Sequence, residues 1–401
     1  AAAAFLAVVF AAVAVVSCAA SNAAASHVAG LHTRLSAGSN PWELATTDVW
    51  STMGNLTGVP ILPLFAPQSN SGARGAELLA FVDGGGARAT AVLRGSQQGT
   101  SWRNVSIVPW GSARTQFGWA WAPSRQEVAL AGGRSAAGTL FADVWASADE
   151  GSTWREVTPK APFGRRASTM VALQDGTLVL MGGLVAGSGV GGQPTLANDV
   201  WSSPNGEKWE VVAKQAPWAA RVGHGAVAVG QVITLCGGAG ASSTWYADCW
   251  VSRGGASWHQ LTPAAGWSPR QCDGHLFAIP NSPTTALVLV GGTSSPSVHA
   301  GPDAQPVAHS DVWLSRTGYR WTQVMPQAAA PWSSNHTQCM GATALPGTAN
   351  IVALVASARP PASVVVRAWR SAPLCVAGAG VVNVSVSPAD GGELRLPPEQ
   401  D

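Results

Sequence analysis

The chain has 401 residues, and only 11% of them are Asp, Glu, Lys or Arg, against about a quarter in ordinary soluble proteins. Its net charge of +2 comes without a basic run, which excludes the positive stripe that a nucleic-acid binder needs. Gly (46), Pro (27) and Trp (19) are abundant, a composition of many turns and many large wedges that directs attention to internal repeats.

The first 25 residues read as a leader. An apolar run from Phe5 to Val16 has the length of a signal-peptide core, and small residues follow it. Two other readings stay open: a short membrane anchor, and a lipoprotein box ending at Cys18. No second apolar run of about 18 residues occurs, so no further membrane span is expected. Four Asn-x-Ser/Thr sequons, at Asn55, Asn104, Asn335 and Asn383, offer glycosylation sites in a secretory path.

Residues 40–372 carry a repeat of three features in fixed order. An apolar strand ends in Gly-Gly, at Gly133, Gly183, Gly238 and Gly292. An Asp-x-Trp strand follows, at Asp143–Trp145, Asp199–Trp201, Asp248–Trp250 and Asp311–Trp313. Eight or nine residues later comes another Trp: Trp154, Trp209, Trp258 or Trp321. The next unit opens on an aromatic, and Trp110, Phe163, Trp218, Trp267 and Trp332 are spaced by 53, 55, 49 and 65 residues. Short strands bounded by Gly, Pro and Ser at this period, near 50, predict propeller blades of four antiparallel strands.

Counting the openings from Trp50 gives six blades. Asp48–Trp50 also fits the Asp-x-Trp strand, which leaves seven open. The last unit lacks a Trp-led fourth strand, and the segment at Trp42 is placed to supply it. The expected fold is thus an all-β, six-bladed propeller (seven possible) closed by its N-terminal strand, with residues 373–401 as a C-terminal extension.

This repeat resembles the kelch family, which implies a propeller that binds partners through loops on one face. Ser147-Ala-Asp149-Glu-Gly151-Ser-Thr153-Trp154 further resembles the Asp-box of sialidase-like propellers, with echoes at Ser203–Trp209, Ser252–Trp258 and Ser315–Trp321. In that family the box shapes an outer turn away from the chemistry.

No catalytic set is legible. With only Tyr246 and Tyr319 the chain cannot supply the tyrosines of a galactose-oxidase-like copper site where they are needed. No sialidase-type Arg set with a Tyr–Glu pair is found. His299, Asp303, His309 and Asp311 share one stretch, but Gly- and Pro-rich loops gather such residues by chance, so no metal and no cofactor is expected. Arg114, Arg166, Arg221 and Arg270 recur just after the opening aromatics, with His224, His275 and His336 close behind. They read either as an Arg-lined site for acidic groups or as structural pairs with neighbouring acids. Cys236 with Cys249, and Cys339 with Cys375, are placed to bridge strands, leaving Cys272 over. The expected function is a secreted or cell-surface module that binds a protein or glycan through one loop face. A structural part of an extracellular assembly is the alternative, and a glycan-active hydrolase is the third reading.

Overall fold

The computed structural model describes residues 42–46, 62–65, 78–82, 91–96, 102–110, 114–135, 139–166, 168–187, 194–279, 286–294, 307–330, 337–344, 351–359 and 363–371. Among the described residues, every element apart from two short 3₁₀ turns is a strand. The reason is local: four- to nine-residue apolar runs, rich in Val, Leu and Trp, are cut by Gly and Pro before a helix could form.

Strand β1 (Trp42–Thr46) opens the chain. The first meander is β2 (Leu62–Phe65), β3 (Leu78–Val82), β4 (Ala91–Gly95) and β5 (Trp102–Ile107). After β6 (Arg114–Thr115) come β7 (Gly118–Ala122), β8 (Glu127–Ala131), β9 (Arg134–Ser135), β10 (Val144–Ser147) and β11 (Arg155–Thr158). The next sheet holds β12 (Arg165–Arg166), β13 (Thr169–Ala172), β14 (Leu178–Val185), β15 (Thr195–Ser203) and β16 (Glu210–Ala213). Two meanders follow, β17 (Gly225–Val229) to β20 (Trp258–Thr262) through β18 (Val232–Cys236) and β19 (Cys249–Arg253), then β21 (Leu276–Ile279) to β24 (Thr322–Met325) through β22 (Ala286–Ser294) and β23 (Val307–Ser315). The chain ends on β25 (Thr337–Ala344), β26 (Ile351–Arg359) and β27 (Ser363–Ser371), and β1 pairs with β27 to make this sheet four-stranded.

The strand count departs from expectation. Among the described residues five four-stranded blades are present, not six or seven: β2–β5, β7–β8–β10–β11, β17–β20, β21–β24 and β25–β27 with β1. The sheet between the second and third of these has five strands. There β14 runs on past Gly183 and takes two partners along one edge, β13 beside Leu178–Met181 and β12 beside Leu184–Val185. In the preceding blade the same crossing is a separate ribbon, β6 with β9. The linker strand that carries the recurring Arg causes the difference, and the Trp and Gly-Gly period is blind to it.

The sheets follow one another round a closed ring, with β7 against β13, β13 against β17, β17 against β21, β21 against β25 and β25 against β2. Leu79, Phe81 and Val92 of the first blade pack with Val128 and Leu130 of the next. Between sheets the core is apolar: Val171, Val179 and Met181 meet Ile233, Leu235, Trp218 and Trp258. Among the described residues, four opening aromatics meet the later Trp of their own unit. Ring centres lie 5.9 Å apart for Trp110–Trp154, 5.0 Å for Phe163–Trp209, 5.9 Å for Trp218–Trp258 and 6.1 Å for Trp267–Trp321. Such edge-on pairs add about 0.5–1.5 kcal/mol each beyond the area they bury. The Gly-Gly pair is needed where the linker crosses: a Cβ on Gly292 (φ +102) would come within 2.4 Å of the Gln271 carbonyl oxygen.

The outer turns share one design. Ser147 Oγ accepts from Gly151 N at 2.8 Å, Asp149 Oδ1 accepts from Thr153 N at 2.8 Å, and Trp154 Nε1 donates to Gly151 O at 3.1 Å. The serine-to-glycine and indole-to-glycine bonds recur at Ser203–Gly206–Trp209, Ser252–Gly255–Trp258 and Ser315–Gly318–Trp321. These bonds pin the turns in short, closed form on one face of the ring.

Candidate functional site at the hairpin face

The opposite face is built from the linkers between units and the hairpins after Gly-Gly. Backbone register aligns the linkers: Thr115 pairs with Arg134, Arg166 with Leu184, Val222 with Ala239 and Gln271 with Thr293. Each partner directly follows a Gly-Gly pair. The equivalent arginines are therefore Arg114, Arg165, Arg221 and Arg270. Arg166 sits one place beyond the repeat, because the distance from opening aromatic to Arg varies from unit to unit.

Three of these side chains can be followed, and all are buried. Arg221 donates to Asp248 through both terminal nitrogens, at 2.6 and 2.9 Å, and to the Gly237 carbonyl at 3.0 Å. Arg270 does the same with Asp311, at 2.5 and 3.1 Å, and the Gly291 carbonyl, at 3.1 Å. Arg114 repeats the pattern with Asp143, at 2.5 and 2.8 Å, and with Gly132. The same aspartates accept from the indoles of Trp145, Trp250 and Trp313 at 2.7–2.8 Å. A ring lies over two of the guanidinium groups, Phe141 on Arg114 at 3.8 Å and Tyr246 on Arg221 at 4.0 Å. Burial opposes ionisation of Asp311, but the Arg270 hydrogen bonds and charge outweigh it and hold the carboxyl below its ordinary value.

Of the two readings of these arginines, the contacts favour structural pairs with aspartates over an Arg-lined pocket. Arg114, Arg221 and Arg270 are 4%, 1% and 0% exposed. Planar forks already matched to aspartates inside the wall present no face to an acidic ligand. His224 and His275 are likewise buried. Burial first, and then the charge of Arg221, pushes His224 down to about 3. His275 Nδ1 lies 2.8 Å from the Val290 carbonyl, and burial brings this ring to about 4. The space beside Arg114, lined by Trp110, Phe117 and Trp145, has no room even for a water molecule, far from the roughly 300 Å³ of a small-molecule site.

At the axis, the inner strands are bonded from sheet to sheet. Thr169 Oγ1 donates to His224 O at 2.6 Å, Cys272 N to Gly223 O at 2.8 Å and Ala342 N to Gly274 O at 3.0 Å. The linker after Arg270 is two residues longer than those after Arg114, Arg165 and Arg221, and Asp273 is turned out. Its carboxyl is open to solvent yet surrounded by protein, and this enclosure raises it to about 6. Sequence reasoning passed over Asp273; the signal was the step from Arg270 to His275, longer than that from Arg221 to His224. Cys272 beside it is a free, buried thiol, pushed up to about 12 chiefly by burial.

A carboxyl raised in the folded state penalises folding once ionised, so the cost grows as pH rises from about 4 through 6. Asp273→Asn is expected to stabilise the fold at pH 7 by about 1 kcal/mol after screening by water, and to have no effect at pH 4. Urea unfolding at both values checks this, and equal effects at the two would disprove it.

Above the Arg layer stand the hairpins. Strands β14 and β15 stay paired out to Val185 and Thr195, β22 and β23 to Ser294 and Val307, and β26 and β27 to Arg359 and Ser363. The loop between β18 and β19 is instead tied at its base by the Cys236–Cys249 disulfide, as expected, with Cα atoms 4.3 Å apart. In a chain-entropy model a loop of this length is stabilised by about 3 kcal/mol. Polar groups line the base of the β22–β23 hairpin, where Thr293 Oγ1 donates to Gln271 Oε1 at 3.1 Å and Ser294 Oγ meets His309 Nε2 at 2.9 Å. Asn104 is exposed on β5, and Cys339 lies on β25. The expected Cys375, His336, Asn55, Asn335 and Asn383, and the leader, lie outside the described residues. Among the described residues no cluster of three metal-ligating side chains occurs, and no helix is long and apolar enough to cross a membrane.

The solved structure of YjhT matches with a TM-score of 0.55 at 16% identity, over 78% of this chain and 95% of that one. The chain is a β-propeller. An identity that low speaks for the fold alone. No family model matches the chain, and no curated protein does.

Proposed function

We propose that the chain is a secreted or cell-surface propeller of kelch type that holds a protein or glycan partner on its hairpin face, and acts by binding rather than by catalysis. The observation that carries this reading is the asymmetry of the two faces. One is closed by short turns of a single hydrogen-bonded design. The other raises three paired hairpins of unequal loop length, on strands of eight or nine residues, over a rigid Arg–Asp layer. Variable loops on a fixed scaffold are where recognition is built. The Cys236–Cys249 bond and the leader-like N-terminus both suit an oxidising, extracellular setting.

The test compares wild type with a variant in which residues 294–307 are replaced by an Asn-Gly turn, using a glycan array and a pull-down from extracellular matrix or wall extract. Capture by wild type that is lost in the folded variant, or in the matching β14–β15 and β26–β27 variants, is the expected result. Capture that survives all three and falls when the Ser203–Trp209 turn is altered places binding on the other face and refutes the reading. Absence of any capture by the intact fold favours a structural part of an extracellular assembly.

A further inference from the structure

Five outermost strands carry the same irregularity, and it gives one sequon a defined place. In the first blade the pairing of β4 with β5 jumps from Val92–Ser106 to Leu93–Asn104, so Val105 is a bulge. The jump recurs between Val144–Thr158 and Trp145–Glu156, Val200–Ala213 and Trp201–Val211, Cys249–Thr262 and Trp250–Gln260, and Val312–Met325 and Trp313–Gln323. Asn104 is thus the register equivalent of Glu156, Val211, Gln260 and Gln323. All five side chains are exposed, on the rim of the ring, away from the neighbouring sheets. Two residues on, the Ser106 hydroxyl turns inward and donates to the Gly151 carbonyl of the next blade's outer turn at 2.5 Å. The folded ring therefore has space for a large group on Asn104 and uses Ser106 for itself.

We propose that Asn104 is a site of N-linked glycosylation. The donor is an oligosaccharide carried on a polyprenyl diphosphate. The Asn104 amide nitrogen bonds to the anomeric carbon of the first sugar, the bond from that carbon to the diphosphate oxygen breaks, and the amide gives up one proton as the polyprenyl diphosphate leaves. The acceptor signature is Asn104-Val105-Ser106, read while the chain is still extended; folding then carries the glycan to the rim, clear of both the hairpin face and the turn face. An outer strand is an open sheet edge, which proteins protect against pairing with other chains, and a bulky hydrated group on β5 does so for the first blade.

The inference rests on the secreted reading, so its test is separated from it. The full chain is produced behind a supplied signal sequence in a eukaryotic secretory host. Whether its own leader exports it is scored in a parallel culture, and failure there counts against secretion alone. Peptide N-glycosidase treatment in heavy-oxygen water is followed by site-resolved mass spectrometry. The expected result is labelled aspartate at position 104, lost in both Asn104→Gln and Ser106→Ala, with Ser106→Thr keeping it. Unlabelled Asn104 in exported chain with a closed Cys236–Cys249 bond overturns the proposal.

Discussion

Replacing Arg221 by Ala is expected to cost about 3–5 kcal/mol, because it leaves the Asp248 carboxylate buried without its countercharge. The residue is 1% exposed, and its partner also holds the Trp250 indole at 2.7 Å. Asp248→Ala should cost a similar amount, since it strands the guanidinium under Tyr246. The double variant is expected to lose less than the sum of the two, by about 1–3 kcal/mol, the signature of groups that act as one unit. Arg155→Ala provides the contrast. Its bond to Glu127 is 2.8 Å, as short as those of the buried clamp, but the side chain is 54% exposed, and an exposed pair is worth under about 1 kcal/mol. Urea unfolding of the four variants decides the matter. An Arg221→Ala chain within about 1 kcal/mol of wild type would show that the clamp is not structural and would reopen a ligand role for these arginines.

Acid is expected to weaken the fold long before its surface carboxylates are protonated. His224, His275 and His309 are held neutral, at about 3, 4 and 4, chiefly by burial. The groups that face them are charged: Arg221 beside His224, and Arg270 beside His275 and His309, with Asp311 partly offsetting at His309. A histidine depressed in the folded state gives stability that is complete above its unfolded value of about 6.5 and is lost as pH falls towards the folded value. Each unit is worth about 1.4 kcal/mol, so the three together should remove several kcal/mol between pH 6.5 and 4. Protonation of Asp273, at about 6, works in the opposite direction over part of that range. The midpoint of urea unfolding, followed from pH 8 to 4, is expected to fall with the main loss below 6.5. His224→Gln should flatten that slope, and an unchanged slope would rule out His224 as a source.

Residues that every unit must bury were the legible part of this fold. Trp218, Trp258 and the Gly-Gly pairs recur because each sheet needs the same wedge and the same close crossing, and they gave the propeller, its strands and the Cys236–Cys249 partnership. What failed was the position of the linkers. Their length varies between aromatic and Arg, so counting from Phe163 lands on Arg166, whereas the backbone pairs count from Gly183 and select Arg165. The same linker strand turned one expected four-stranded blade into a five-stranded sheet. The Arg–Asp clamp was present in the sequence as a joint recurrence of Arg221 with Asp248 and Arg270 with Asp311. The sequence left structural pairing and a ligand site both open, because recurrence shows that a charge is needed in each unit but not which group it faces. Asp273 was hidden differently: an insertion confined to one linker has no period.

Strand β27 runs away from the hairpin it shares with β26, and Trp42 is the register partner of Ser371. The chain therefore enters and leaves the ring side by side, at the face of the short turns. Whatever grips the chain at Trp42 or Ser371 grips it from beneath, like a stem under a flower head, on the side away from the three hairpins.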